Sequence, residues 1–391
     1  MRADFLPFAL PLIGEDEINA VVECLRSGWL TTGKQVRTFE REFAEYIAGP
    51  HAEPPHALAV NSCTAALHLA LEAVGVGPGD EVVTTPMTFT ATAAVIEHLG
   101  ARPVFADVDP VTLNIDPREI ERRMTPRTKA ILPVHFAGQA CDLEAIHAIA
   151  RAHGVPVIED AAHAIPTRYQ GRLIGTQSDI TCFSFYATKN ITTGEGGMAV
   201  TANAEYAERM KLMHLHGMSR DAWKRYTQAG SWSYDILAPG FKYNLTDVAA
   251  AIGIHQLRRC DEFHARRRAI ADQYDAALAG VPGIAVPKVA DRDAHGWHLY
   301  VIQVDPAQVP MGRDAFIQEL VTRNIGVSVH FIPLHVQPYY RDRYGLAPGD
   351  YPNAFEAYQR IVSLPLYARM SDADVRDVIE AVQDVVLGVR S

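Results

Sequence analysis

The stretch FSFYATKNITTGEGG (183–197) runs from an apolar, strand-like pattern into a Ser/Thr turn holding one lysine, Lys189, and then into Gly194, Gly196 and Gly197. A lysine at the mouth of a sheet, hemmed in by strand and glycine turn, is poorly hydrated. Burial disfavours its ammonium, lowers its pKa from the ordinary value of about 10.4 and frees the amine for Schiff-base chemistry. Read alone, the residue also fits a surface turn, where most lysines lie.

Working outward, short apolar runs alternate with helix-like runs through residues 58–201. The strand candidates are EVVTT (81–85), RPVFADV (102–108), AILPV (130–134), VPVIED (155–160), ITCFSFY (180–186) and MAVT (198–201); TAALHLALEAVG (64–75) and DLEAIHAIARAHG (142–154) carry helical spacing. This alternation predicts an α/β domain with a large, mostly parallel sheet, and ligands in such sheets collect at the carboxyl ends of the strands. Past Asn244 the pattern changes: Thr246 caps a long helix toward 279, and a Pro/Gly break (281–287) follows. WHLYVIQV (297–304) and SVHF (328–331) read as strands, and 313–326 and 371–386 as helices. The expected organisation is a large domain, 14–260, a smaller α+β domain, 261–391, and an N-terminal segment, 1–13, packing beside the latter.

The composition is that of a soluble enzyme. Of 391 residues, 48% are hydrophobic and 21% charged. A net charge of −10 argues against nucleic acid as the main partner, and the Arg266–Arg268 run reads as a solvated helix face. Five dispersed cysteines and an N-terminus with neither signal nor spanning segment point to the cytoplasm. No dinucleotide turn, Walker loop, G-x-S-x-G or zinc set appears, so no metal is expected.

Other features gather around Lys189. Glu159 and Asp160 end an apolar strand, and alternation turns one of them into the pocket. A buried carboxylate needs a cationic partner, which a protonated pyridine nitrogen would be, although a helix-capping role fits equally well. The amides of Thr64 and Ala65 open a helix and suit a phosphate, or simply a good N-cap. Phe89 follows a strand end and could cover a flat ring, or sit in the core.

Together, phosphate cup, aromatic, strand-end Asp and Ser-x-x-x-x-Lys form an ordered set. SGWLTTGKQVRTFEREFAEYIAG (27–49), NSCTAALHLAL (61–71), VIEDAAHA (157–164), FSFYATKNITTGEGG, GFKYNLTDVAAAIG (240–253) and LPLY (364–367) resemble the DegT/DnrJ/EryC1/StrS sugar aminotransferases nearly end to end. The resemblance implies the fold type I of PLP-dependent transferases (aspartate aminotransferase-like), with pyridoxal 5′-phosphate as cofactor. It implies that Lys189 carries the cofactor and shuttles the proton, Asp160 pairs with the ring nitrogen, His163 lies near the ring hydroxyl and Phe89 stacks. Thr64, Ala65 and Ser184 would hold the phosphate, with Asn244 reaching it from the second subunit of a homodimer; His330, beside Phe331, would contact the sugar. Cys63 departs from the glycine of many relatives. FLPF (5–8), TPRTKAILPVH (125–135) and GFKYNLTD point to members that form UDP-4-amino-4-deoxy-L-arabinose for lipopolysaccharide, using L-glutamate and releasing 2-oxoglutarate. A UDP- or dTDP-4-keto-6-deoxyhexose is the alternative. Sugar dehydration is disfavoured because relatives that perform it replace the lysine with histidine. A non-catalytic sensor lacks any basic stripe to support it.

Overall fold

The computed structural model describes residues 2–219, 234–289 and 291–388. Its large sheet uses β1 (His56–Val60), β2 (Glu81–Thr84), β3 (Arg102–Phe105), β4 (Thr128–Leu132), β5 (Ile158–Asp160), β6 (Ile180–Ser184) and β7 (Gly197–Thr201). A four-stranded part, ordered β1-β7-β6-β5, meets a three-stranded part, β4-β2-β3, through the parallel bridges Ile131↔Val157 and Val134↔Asp160. β7 pairs antiparallel with both β1 and β6, while the remaining pairings are parallel. Strands buried on both faces read as continuous apolar runs: Ile180–Ser184 and Gly197–Thr201 are buried at every position. β1 was not among the expected strands.

Helix ends follow the local chemistry. Ser62 caps Cys63–Ala73 by accepting the Ala65 amide at 3.1 Å. Asp142 caps Leu143–His153, and Gly154 ends that helix in the left-handed region at φ 66°. Gly197 is required for another reason: a Cβ there would lie 2.5 Å from the Ser62 carbonyl carbon and 2.6 Å from the Cys63 nitrogen. The β7 backbone thus presses against the turn that opens the helix.

Thr246 caps a helix as expected, accepting the Ala249 amide. That helix, however, ends at Arg258, and a second runs Cys260–Leu278. Leu257, Cys260 and Phe263 belong to the core under the large sheet, whereas Ile270, Tyr274 and Leu278 join a second core. The hand-over from one core to the other therefore falls within the second helix, between Phe263 and Ile270, and not at the break. The second core also takes in Leu6, whose segment bridges Ile325. Its antiparallel sheet consists of β8 (Ile284–Ala285), β9 (Tyr300–Val304) and β10 (Ile361–Leu364).

Three expectations need correction. SVHF is not a strand; only Ser328 bridges Ser363, and the following residues turn to line a cavity. The helix expected over 313–326 spans Gly312–Thr322. The Arg266–Arg268 run is not a solvated face throughout: Arg267 is 4% exposed and donates to the carbonyls of Trp297, His298 and Leu366. Three carbonyls on Nη1 offset part of the cost of burying this guanidinium, while its Nε has no hydrogen-bond partner among the described residues. Among the described residues no helix is long and apolar enough to cross a membrane.

Candidate active site

At the carboxyl ends of β5 and β6 lies a cavity of about 570 Å³. Its position follows from the sheet: parallel neighbours end together there, and the turns that follow them diverge. Asp160 closes β5, His163 follows two residues beyond Ala161, Ser184 ends β6, and Lys189 sits in the turn between β6 and β7; all four line the cavity. Thr64, Phe89 and His330 line it too. Ala65 and Asn244 do not. The Ala65 amide is engaged by Ser62 Oγ, and Asn244 donates to Thr32 Oγ1 at 2.7 Å while accepting from the Lys242 ammonium.

Lys189 is half-buried, and among the described residues its ammonium makes no hydrogen bond. Desolvation brings its pKa down to about 8, the negative charge of Asp160 offsetting only part of that effect. Asp160 is 4% exposed; Oδ2 accepts from Thr92 Oγ1 at 2.8 Å and Oδ1 from the Ala162 amide at 3.1 Å. Burial raises its pKa, and these donors with Lys189 counter it incompletely. No cation forms a close ion pair with it among the described residues. The neighbouring Glu159 faces away, to His135 Nε2 at 2.6 Å and Thr181 Oγ1 at 3.2 Å.

The remaining wall is aromatic. The His163 ring stacks on Phe331 at 5.8 Å and lies 4.3 Å from His298, and His163 Nδ1 is buried without a hydrogen-bond partner. Burial and the nearby Lys189 keep His163 neutral, its pKa far below the ordinary value. His330 Nδ1 meets Ser363 Oγ at 2.8 Å; burial, then Lys189, lowers its pKa to about 4. Phe89 is 61% exposed, 6.4 Å from Phe331.

Among the neighbours that escaped the sequence reading, three hold the site together. Thr92 holds Asp160. Asn190 donates to the Ile165 and Gly296 carbonyls and meets His298 Nδ1 at 3.1 Å, fastening the lysine turn to a distant loop. His298 itself lines the cavity. Only Thr92 left a trace: Thr88 and Thr92 stand four apart in TTPMTFTATA, directly after a strand.

This residue set fits pyridoxal phosphate. An unpaired buried carboxylate, an unbonded amine and an orphaned imidazole nitrogen are complementary to a cationic pyridine, an aldehyde and a ring hydroxyl. No group of His, Cys, Asp or Glu among the described residues could hold a metal ion.

A model of the DegT/DnrJ/EryC1/StrS aminotransferase family matches residues 11–383. The spore coat polysaccharide biosynthesis protein SpsC of Bacillus subtilis is 54% identical over 388 residues, covering 99% of this chain and 98% of the relative. Among solved structures, the PMP-form of the putative sugar aminotransferase Spr1654 from Streptococcus pneumoniae superposes with a TM-score of 0.89 at 36% identity, covering 98% of this chain and 99% of that one. Helicobacter pylori PseC, an aminotransferase involved in the biosynthesis of pseudoaminic acid, gives 0.90 at 28% identity, covering 99% and 100%.

Proposed function

The chain belongs to the DegT/DnrJ/EryC1/StrS aminotransferase family and is a fold type I sugar aminotransferase using pyridoxal phosphate; from that premise we propose that it moves the amino group of L-glutamate onto the keto carbon of a nucleotide-linked 4-keto sugar. The observation that carries this reading is an amine and a carboxylate, both without a close ionic partner, lining one cavity.

When bound, the cofactor supplies an electron sink for the carbon attached to nitrogen. Lys189 Nζ takes a proton from the donor's α-carbon and returns one to the sugar carbon, a role suited to an amine whose pKa lies at about 8. Asp160 would hold the ring nitrogen in its cationic form, and His163 Nδ1 would meet the ring hydroxyl. Thr64, Ala65 and Ser184 would hold the phosphate, Ala65 sharing its amide with Ser62, and Phe89 would cover the ring. In a cytoplasmic homodimer Asn244 would serve the second subunit's site. His330, neutral and fixed by Ser363, would donate to or accept from a sugar hydroxyl.

For the sugar, the motifs noted above support a UDP-4-keto-pentose, with UDP-4-amino-4-deoxy-L-arabinose for lipopolysaccharide as product. The relation to a spore coat polysaccharide protein supports a second reading, a UDP- or dTDP-4-keto-6-deoxyhexose destined for another polysaccharide. One methyl group separates these sugars at C5, a contact worth about 1–3 kcal/mol. The test is a product assay with each sugar and L-glutamate, following 2-oxoglutarate. Amination of one of them, lost by at least about a thousandfold in Lys189→Ala, is expected. Wild-type protein that binds PLP yet releases no 2-oxoglutarate with any 4-keto sugar would overturn the proposal.

A further inference from the structure

Asp160 owes its setting to a short chain of hydroxyls. Thr92 Oγ1 lies 2.8 Å from Asp160 Oδ2, and Thr88 Oγ1 lies 2.8 Å from Thr92 Oγ1. Both threonines are buried, at 2% exposure or less. Proton counting fixes the direction. An ionised carboxylate only accepts, so Thr92 gives its single proton to Asp160. Thr88 must then donate to Thr92. Both bonds point toward the carboxylate, and each polarises the next. The Ala162 amide binds the other oxygen, so the carboxylate cannot rotate without breaking two contacts.

We propose that Thr92, supported by Thr88, is the positioning residue that orients the Asp160 carboxylate toward the cationic occupant of the cavity. The proposal rests on the reading of Asp160 as the ring-nitrogen partner. Sequence spacing agrees: Thr88 lies in the turn after β2, Thr92 in the first turn of the helix Ala91–His98, so that the Thr92 hydroxyl meets the end of β5 and the Thr88 hydroxyl stands behind it. A merely structural role would make the hydroxyl a helix-packing contact with no consequence for the cofactor.

The substitutions that decide are Thr92→Val, which keeps the shape and removes the hydroxyl, Thr92→Ser, which restores it, and Asp160→Asn. Each full-length protein is prepared with PLP, and three quantities are read: the PLP dissociation constant, the pH dependence of the bound cofactor's visible absorbance, and Tm. Loss of a hydrogen bond to a charged group predicts that Thr92→Val weakens PLP binding about tenfold or more. The absorbance transition should also shift, and Thr92→Ser should return both to within about threefold of wild type. Thr88→Val should give the same shift in smaller measure. A lowered Tm in Thr92→Val with unchanged PLP affinity and absorbance profile would overturn the proposal, leaving only packing. If Asp160→Asn also leaves affinity and spectrum untouched, the reading of Asp160 itself fails; if it weakens binding while Thr92→Val does not, only the role of Thr92 falls.

Discussion

Glu159 and Asp160 are consecutive residues of β5, both buried, and the protein treats them in opposite ways. Glu159 has its partner built in. His135 stands 2.6 Å away with neither side chain exposed, and although burial alone would raise the Glu159 pKa, the His135 contact and the Thr181 hydroxyl bring it below the ordinary value. Asp160 has only neutral donors in contact, and burial prevails over them. A carboxylate that must hold the fold together carries its own cation; one that must hold a ligand keeps that place free. The contrast separates an acid satisfied within the fold from one left to take a cationic occupant, as the role proposed for Asp160 requires.

The sharpest way to break the comparison is to truncate both acids. Glu159→Ala strands a buried imidazole and opens a hole in the sheet. It should cost about 3 kcal/mol, the lower end for a broken buried pair, because His135 can shed its proton. Denaturant unfolding would show it, with PLP affinity retained in the folded fraction. Asp160→Asn should do the reverse: an unchanged or slightly higher Tm without cofactor, since a poorly compensated charge is removed, but PLP binding weaker by about a hundredfold. Equal stability losses in the two variants would erase the distinction.

The pH response sharpens it. Lys189 has its pKa lowered to about 8, so the free amine dominates only above that pH. Uptake of PLP by the cofactor-free protein, followed by absorbance, should therefore slow about tenfold per unit as pH falls below about 8, and level off above it. The sign of the stability linkage agrees. The folded protein binds fewer protons here than the unfolded chain between about 8 and the unperturbed value, so this residue's penalty is present below 8 and relieved as pH rises through that window. A flat uptake rate from pH 6 to 9 would contradict the desolvated amine.

How much of this was legible in the sequence depended on whether the signal was local. The large-sheet strands from Glu81 to Thr201, Gly154 as a cap and the order of cavity residues follow from periodicity, turn chemistry and family motifs, though the short pair Arg168–Tyr169 and Arg172–Leu173 does not, and the structure brings Lys189, Asp160 and His163 to one cavity. β1 escaped because HALAV is short and its exposed first residue blurs the apolar run. Arg267 escaped because three arginines in a row look solvated, and nothing nearby in sequence announces the carbonyls of Trp297, His298 and Leu366 that accept from its Nη1. His298 and Asn190 are 108 positions apart, and their contact exists only once the lysine turn docks on the second core's loop. Periodicity carries no information about such a pair.

The smallest expected effect concerns Phe89. Unlike the buried acids, it is 61% exposed and held by little, with Phe331 at 6.4 Å as its aromatic neighbour. A ring covering the cofactor would add about 0.5–1.5 kcal/mol beyond its area. Phe89→Leu keeps most of the apolar area and removes the π face, so PLP affinity should fall only about two- to tenfold, with Tm of the cofactor-free protein unchanged. Phe89→Tyr should restore it. Calorimetric titration of PLP into the three proteins resolves these differences. If leucine binds as tightly as phenylalanine, the exposed ring is a wall of the sugar site rather than a cover for the cofactor; in that case KM for the keto sugar should rise instead. That outcome would move Phe89 from the company of Asp160 to that of His330 and its own neighbour Phe331, which also line the cavity.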